Sequence, residues 1–145
     1  MWATGCAKMQ KDNAMTTNQL ALLMAGPQPG EAAMANDMTA MAHALQGREL
    51  PTDQIRMLHG HLDRPLVLAF LESAGRHVSS WADGILFVHY SGHGFFSGET
   101  VNEARSGLLF ADGGESTAHG HLFWDEFFDA LALPDGVQMI LLPDL

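Results

Sequence analysis

A histidine flanked by two glycines stands just past a strongly apolar run: Gly84-Ile85-Leu86-Phe87-Val88-His89-Tyr90, then Ser91-Gly92-His93-Gly94. A glycine on each side removes Cβ crowding and lets the backbone turn sharply. The His93 imidazole is therefore expected to project from the end of a strand on a rigid base. A ring so placed can take up and return a proton. The Gly94 N–H can point at a neighbouring oxyanion, as acyl-transfer sites require. The plain alternative is an exposed histidine in a Gly-rich turn, and spacing alone does not separate the two.

Other residues bear on metal and thiol chemistry. His59-Gly60-His61 and His119-Gly120-His121 are paired in sequence, but a zinc site needs three or four convergent ligands. Asp63 near the first pair and Asp125 and Glu126 near the second are the only carboxylates or thiols at fitting spacing, so both pairs read as solvated loop or helix-entry residues and no metal is expected. Glu99, Glu103, Asp112 and Glu115 could offer oxygens to calcium, yet they match no defined loop. Cys6 is the single cysteine. It allows neither an internal disulfide nor a thiolate zinc cage, and no strand positions it, so it reads as an incidental thiol.

The elements that must position His93 follow from punctuation and periodicity. Residues 20–25 are a short continuous apolar run stopped by Gly26-Pro27, which fits a buried strand. Residues 31–46 carry Met34, Met38, Met41, Ala42 and Leu45 at helical spacing, with Gly47 as a stop. A second strand is predicted over 54–59. Asp63 then reads as an N-cap before Arg64-Pro65, opening a helix over 66–74 that Gly75 ends. Residues 84–90 form the third strand. Residues 91–107 read as a long connection, 107–111 as a short strand, 121–131 as a third helix and 136–142 as the last strand. Phe95-Phe96 can cap the loop after His93, contact a substrate, or pack within the loop. Trp124, Phe127 and Phe128 are expected to pack onto the sheet, and His89 to be a buried, hydrogen-bonded side chain. His43 and His77 read as helix-surface residues. The alternation of strands and helices predicts an α/β domain, a three-layer α-β-α sandwich with a mostly parallel sheet. In such sheets chemistry gathers at the carboxyl edge of the strands.

The chain has 145 residues, 47% hydrophobic and 17% charged, which is enough for one domain with a packed core. With 7 Lys+Arg against 17 Asp+Glu the net charge is −10, so nucleic acid is not an expected partner. No apolar stretch reaches the ~18 residues of a bilayer span, and residues 1–18 read as a polar leader without a signal-peptide core. A cytoplasmic setting, with no membrane partner, is the expectation.

Val88-His89-Tyr90-Ser91-Gly92-His93-Gly94 resembles the catalytic-histidine motif of the caspase-like cysteine peptidases: caspases, metacaspases, paracaspases and bacterial relatives. Other segments resemble the family in the same order. Residues 20–26 resemble its first strand, Ala35-Asn36-Asp37-Met38 and the helix after it the next element, and residues 55–58 its second strand. Residues 107–113 resemble the segment after the histidine loop, and residues 137–144 the strand that delivers the nucleophile. The resemblance covers residues 19–145.

What the resemblance implies is a caspase-hemoglobinase-like fold, incomplete on its C-terminal side, and a cysteine endopeptidase with a Cys-His dyad and no cofactor, with calcium gating through acidic loops, known in some of the family, as the alternative. His93 would be the catalytic histidine and Gly94 an oxyanion-hole donor. In the family the last strand runs into Asp-x-Cys. Here Asp144-Leu145 closes the sequence, so the nucleophile is expected as the next residue. Three readings stay open: a segment of a longer chain, one chain of a split protease, or a catalytically inactive adaptor or scaffold. Asp37 and Asp144 match acidic positions that line the primary specificity pocket of metacaspase-like relatives, which implies cleavage after Arg or Lys. As alternatives, Asp37 can be a helix N-cap or first-turn charge and Asp144 a strand-end turn residue. The implied partners are a protein or peptide substrate and the C-terminal continuation or small-subunit part. The implied context is a bacterial defence or cell-death system.

Overall fold

A computed structural model describes residues 17–110 and 119–145. The element order is β1 (Gln19–Ala25), α1 (Ala33–Gln46), β2 (Ile55–His59), α2 (Arg64–Val78), β3 (Gly84–Ser91), β4 (His93–Ser97), β5 (Arg105–Leu109), β6 (His121–Phe123), α3 (Trp124–Leu131) and β7 (Val137–Asp144). β2, β1, β3 and β7 form a four-stranded sheet in that order, and every pair in it is parallel. A second, three-stranded antiparallel sheet has the order β4-β5-β6.

The apolar run Leu20–Ala25 is buried along its whole length because β1 is central and covered on both faces, as parallel strands usually are. Alternate residues serve different layers. Ala21, Leu23 and Ala25 meet Met38, Ala42 and Leu45 of α1. Leu20, Leu22 and Met24 face the opposite core, which holds Val67, Leu71 and Val78 of α2 and Phe127 and Leu131 of α3. Helices thus cover both faces of a parallel sheet. Leu108, Phe110 and Leu122 join the second of these cores, which anchors the small sheet to the large one.

Several expectations change in detail. Asn18, placed in the leader, already belongs to the fold: its side chain donates to the Asp83 carbonyl at 3.0 Å and its carbonyl accepts from Ile85 N–H at 2.8 Å. The remaining leader up to residue 16, with Cys6, lies outside the described residues, as do Asp112 and Glu115. Asp63 does cap α2, accepting from Leu66 N–H at 2.9 Å, but Gly75 does not end that helix. α2 runs three residues further, to Val78. A Cβ at 75 would collide with the Leu131 carbonyl, so Gly75 serves the close approach of α2 and α3.

The predicted connection over 91–107 contains β4 and the start of β5, because Phe95-Phe96 and Arg105-Ser106-Gly107 pair as a hairpin. The predicted helix over 121–131 begins as a strand, β6, and turns helical only at Trp124. β7 continues through Pro143 to Asp144. It is an edge strand, where a missing N–H is tolerated. Phe127 is fully buried, whereas Phe128 is 42% exposed and stacks on Trp124.

Candidate functional site

The strand order fixes where the site lies. From β1 the chain passes through α1 to β2 on one side of the sheet. From β3 it proceeds to β7 on the other side. The loops that leave the carboxyl ends of β1 and β3 therefore diverge, and the crevice between them is the topological switch point where open α/β sheets bind ligands. His93 leaves β3 there, and Glu31 leaves β1.

The two side chains meet. His93 Nε2 lies 2.9 Å from Glu31 Oε2 and 3.1 Å from Oε1. A carboxylate only accepts, so this hydrogen bond requires a hydrogen on Nε2. Both side chains are partly open to solvent, 39% and 37% exposed. The hydrogen bond from His93 holds the Glu31 carboxyl below its ordinary range, with a smaller contribution from the Gln28 N–H.

Glu31 is set by a tight turn. Glu31 N–H donates to the Gln28 carbonyl at 3.1 Å. Pro29 occupies the second position and Gly30, at φ +93°, the third, which is the pattern of a type II turn. The Gln28 N–H returns a bond to Glu31 Oε2 at 2.8 Å. Glu31 was not among the residues singled out in the sequence. The signal was present in Gln28-Pro29-Gly30-Glu31, a turn with a carboxylate at its exit, placed just past the first strand.

The ends of β3 and β7 are tied together at the same edge. Gly92 N–H donates to the Asp144 carbonyl at 3.0 Å. Gly94 is the second residue of β4, opposite Leu108. A Cβ on it would stand 2.9 Å from Leu145 Cδ1, so Leu145 lies directly against Gly94. His93, Gly94 and the end of β7 are thereby neighbours.

Asp37 and Asp144 sit on the α1 side of this edge. Ser91 Oγ donates to Asp37 Oδ2 at 3.4 Å, and Ser91 is the register partner of Asp144. Asp37 is the fifth residue of α1, neither the N-cap nor in the first turn, and Asp144 is the last residue of β7, at the strand end. Both carboxylates are exposed. Neither therefore carries the cost of a buried unpaired carboxylate.

His93, Phe95, His121 and Phe123 share one face of the small sheet by register. Phe95 packs on His121 and Phe123, with centroids 4.5 and 5.1 Å away, and the Arg105 guanidinium lies 3.5 Å above the Phe123 ring. Phe96 points away and is 68% exposed. His89 is buried at 7% exposure. Its Nδ1–H donates to the Leu142 carbonyl at 2.9 Å, and its Nε2 has no partner. His77 is an exposed residue of α2, as expected, and its ring packs edge-on against Trp81.

A cavity of about 460 Å³, lined by Arg48, His77 and Trp81 among others, lies at the opposite, amino edge of β1. It takes no part in the site. Among the described residues no group of three His, Cys, Asp or Glu side chains could hold a metal ion, and no helix is long and apolar enough to cross a membrane. The chain matches no protein-family model and no curated protein.

Proposed function

We propose that this chain carries the histidine half of a caspase-like cysteine endopeptidase domain that cleaves after arginine or lysine. The observation that carries the reading is the adjacency of His93-Gly94 to the end of β7, through the Gly92–Asp144 hydrogen bond and the Leu145 side chain resting on Gly94. A thiol on the residue that follows Leu145 would then emerge beside the imidazole. The reading keeps to the caspase-hemoglobinase-like arrangement and a cytoplasmic setting.

In the proposed reaction His93 accepts the thiol proton. The thiolate sulfur attacks the carbonyl carbon of the scissile peptide, and the carbonyl electron pair moves onto oxygen. The Gly94 N–H is one donor to that oxyanion, and each such donor is worth on the order of 3 kcal/mol. Collapse of the tetrahedral species breaks the C–N bond, and the leaving amine takes the proton from His93. Water then attacks the thioester carbonyl, giving its proton to His93, and the carboxylic acid product leaves as the thiol is restored. No cofactor enters.

Asp37 and Asp144 flank Ser91 on one side of the reacting edge. Two open carboxylates there favour a cationic side chain, and a guanidinium can engage them through its fork of donors.

The test begins with the coding sequence after codon 145. A cysteine codon there, and faster hydrolysis of fluorogenic peptides ending in Arg or Lys than in Asp by the uninterrupted product, is the expected result. Faster turnover after Asp would overturn the specificity. Any other residue at that place, with no co-encoded chain supplying a thiol, would replace the peptidase reading with a non-enzymatic scaffold.

A further inference from the structure

We propose that Glu31 is a positioning residue that fixes the tautomer and ring orientation of His93. The inference deepens the reading of His93 as the general base and rests on it for its consequence in catalysis. Its geometric content stands on the Glu31–His93 contact alone.

A neutral imidazole carries one hydrogen, on either Nδ1 or Nε2. Glu31 presents both oxygens to Nε2, at 2.9 and 3.1 Å. Only the Nε2–H form satisfies that contact, because the Nδ1–H form would set a nitrogen lone pair against a carboxylate. The contact therefore selects Nε2–H and leaves Nδ1 as the basic nitrogen. A proton taken up at Nδ1 would leave the Nε2–H to carboxylate contact in place.

The carboxylate is held in advance. It belongs to a Pro-Gly turn closed by the Glu31 N–H to Gln28 carbonyl bond, and the Gln28 N–H grips the same oxygen that His93 engages. The Gln28 side chain in turn reaches the Phe110 carbonyl at 3.4 Å. Orientation is thus supplied by backbone and turn geometry and lost little by rotamer freedom. Among the described residues, Glu31 is the one whose side chain hydrogen-bonds the imidazole at Nε2.

The experiment uses the chain with ¹⁵N-labelled histidine in alkaline buffer, with the ring neutral. Long-range ¹H–¹⁵N spectra report which ring nitrogen bears the hydrogen, and the H93F variant identifies the His93 signals. The wild type should show the Nε2–H form. Glu31→Ala should lower the ratio of Nε2–H to Nδ1–H by about tenfold or more, the size of effect a charge-assisted hydrogen bond exerts. Glu31→Gln, whose amide oxygen can still accept, should restore most of it. A ratio unchanged in Glu31→Ala, or an Nδ1–H ring in the wild type, would overturn the inference even where the uninterrupted product cleaves peptides. A ratio that falls in Glu31→Ala and recovers in Glu31→Gln upholds it even where no peptide is cleaved, and only the peptidase reading then fails.

Discussion

Gly92 and Asp144 are joined by a backbone hydrogen bond of 3.0 Å at the carboxyl edge of the sheet. One residue further along, His93 meets Glu31, and two residues further, Gly94 meets Leu145. Three loop or strand ends that are far apart in sequence, at 31, 93 and 145, are thereby gathered at one place. The parallel sheet is what makes this possible, since each strand delivers its carboxyl end to the same edge.

The Pro-Gly turn that carries Glu31 should be sensitive at Gly30. Its φ is +93°, and a Cβ there would meet nothing within 4 Å. Gly30→Ala should therefore destabilise through backbone conformation alone, by about 1–3 kcal/mol. The measurement is the urea midpoint, with the denaturant slope unchanged.

Tyr90 is the single tyrosine and is fully buried. Burial pushes its phenol well above the ordinary value of 10.0. With the folded pKa raised, the stability it contributes is whole below the unfolded value and declines as pH climbs past it. Phenolate absorbance should appear together with alkaline unfolding and not before it. Tyr90→Phe removes the bond to the Leu109 carbonyl at 3.2 Å and should cost about 1–2 kcal/mol, read by chemical denaturation.

Arg64 and Glu126 link the start of α2 to α3 through two bonds of 2.7 Å. The bond from Arg64 holds the Glu126 carboxyl below its ordinary value of 4.5, against a smaller opposing effect of burial. A lowered folded pKa means the contribution is present above the unfolded value and lost as pH falls through the folded one. Glu126→Gln should therefore be less stable than wild type at neutral pH by about 1 kcal/mol or less, since the pair is partly open to solvent. The gap should close on acidification below the ordinary carboxyl range. Urea unfolding at neutral and at acid pH makes the comparison.

Much of the frame was legible before the structure. The β1 run, the helix of Met34, Met38, Ala42 and Leu45, and the Asp63 cap were readable because burial on both faces, 3.6-residue periodicity and N-capping each leave a local mark. Gly75 was misread because its role is set by the Leu131 carbonyl of another helix, which no local rule reveals. Of the small sheet only β5 was anticipated, by the strand over 107–111; β4 and β6 were missed for the same kind of reason, because the Phe95–Gly107 and Gly107–Phe123 pairings are long-range and Gly-Ser composition hid them. At the site, His93 announced itself by its two glycines. Glu31 did not, since a carboxylate after a Pro-Gly turn becomes significant only once β1 and β3 are known to be neighbours.

The most direct measurement is kcat/KM for an arginyl fluorogenic peptide with the uninterrupted gene product and its His93→Ala variant. A proton-transfer role for His93 predicts a fall of about 10²–10⁴-fold in the variant, with the fold retained by circular dichroism. Equal rates in the two proteins, or no hydrolysis by a product that does carry a cysteine after Leu145, would contradict the account.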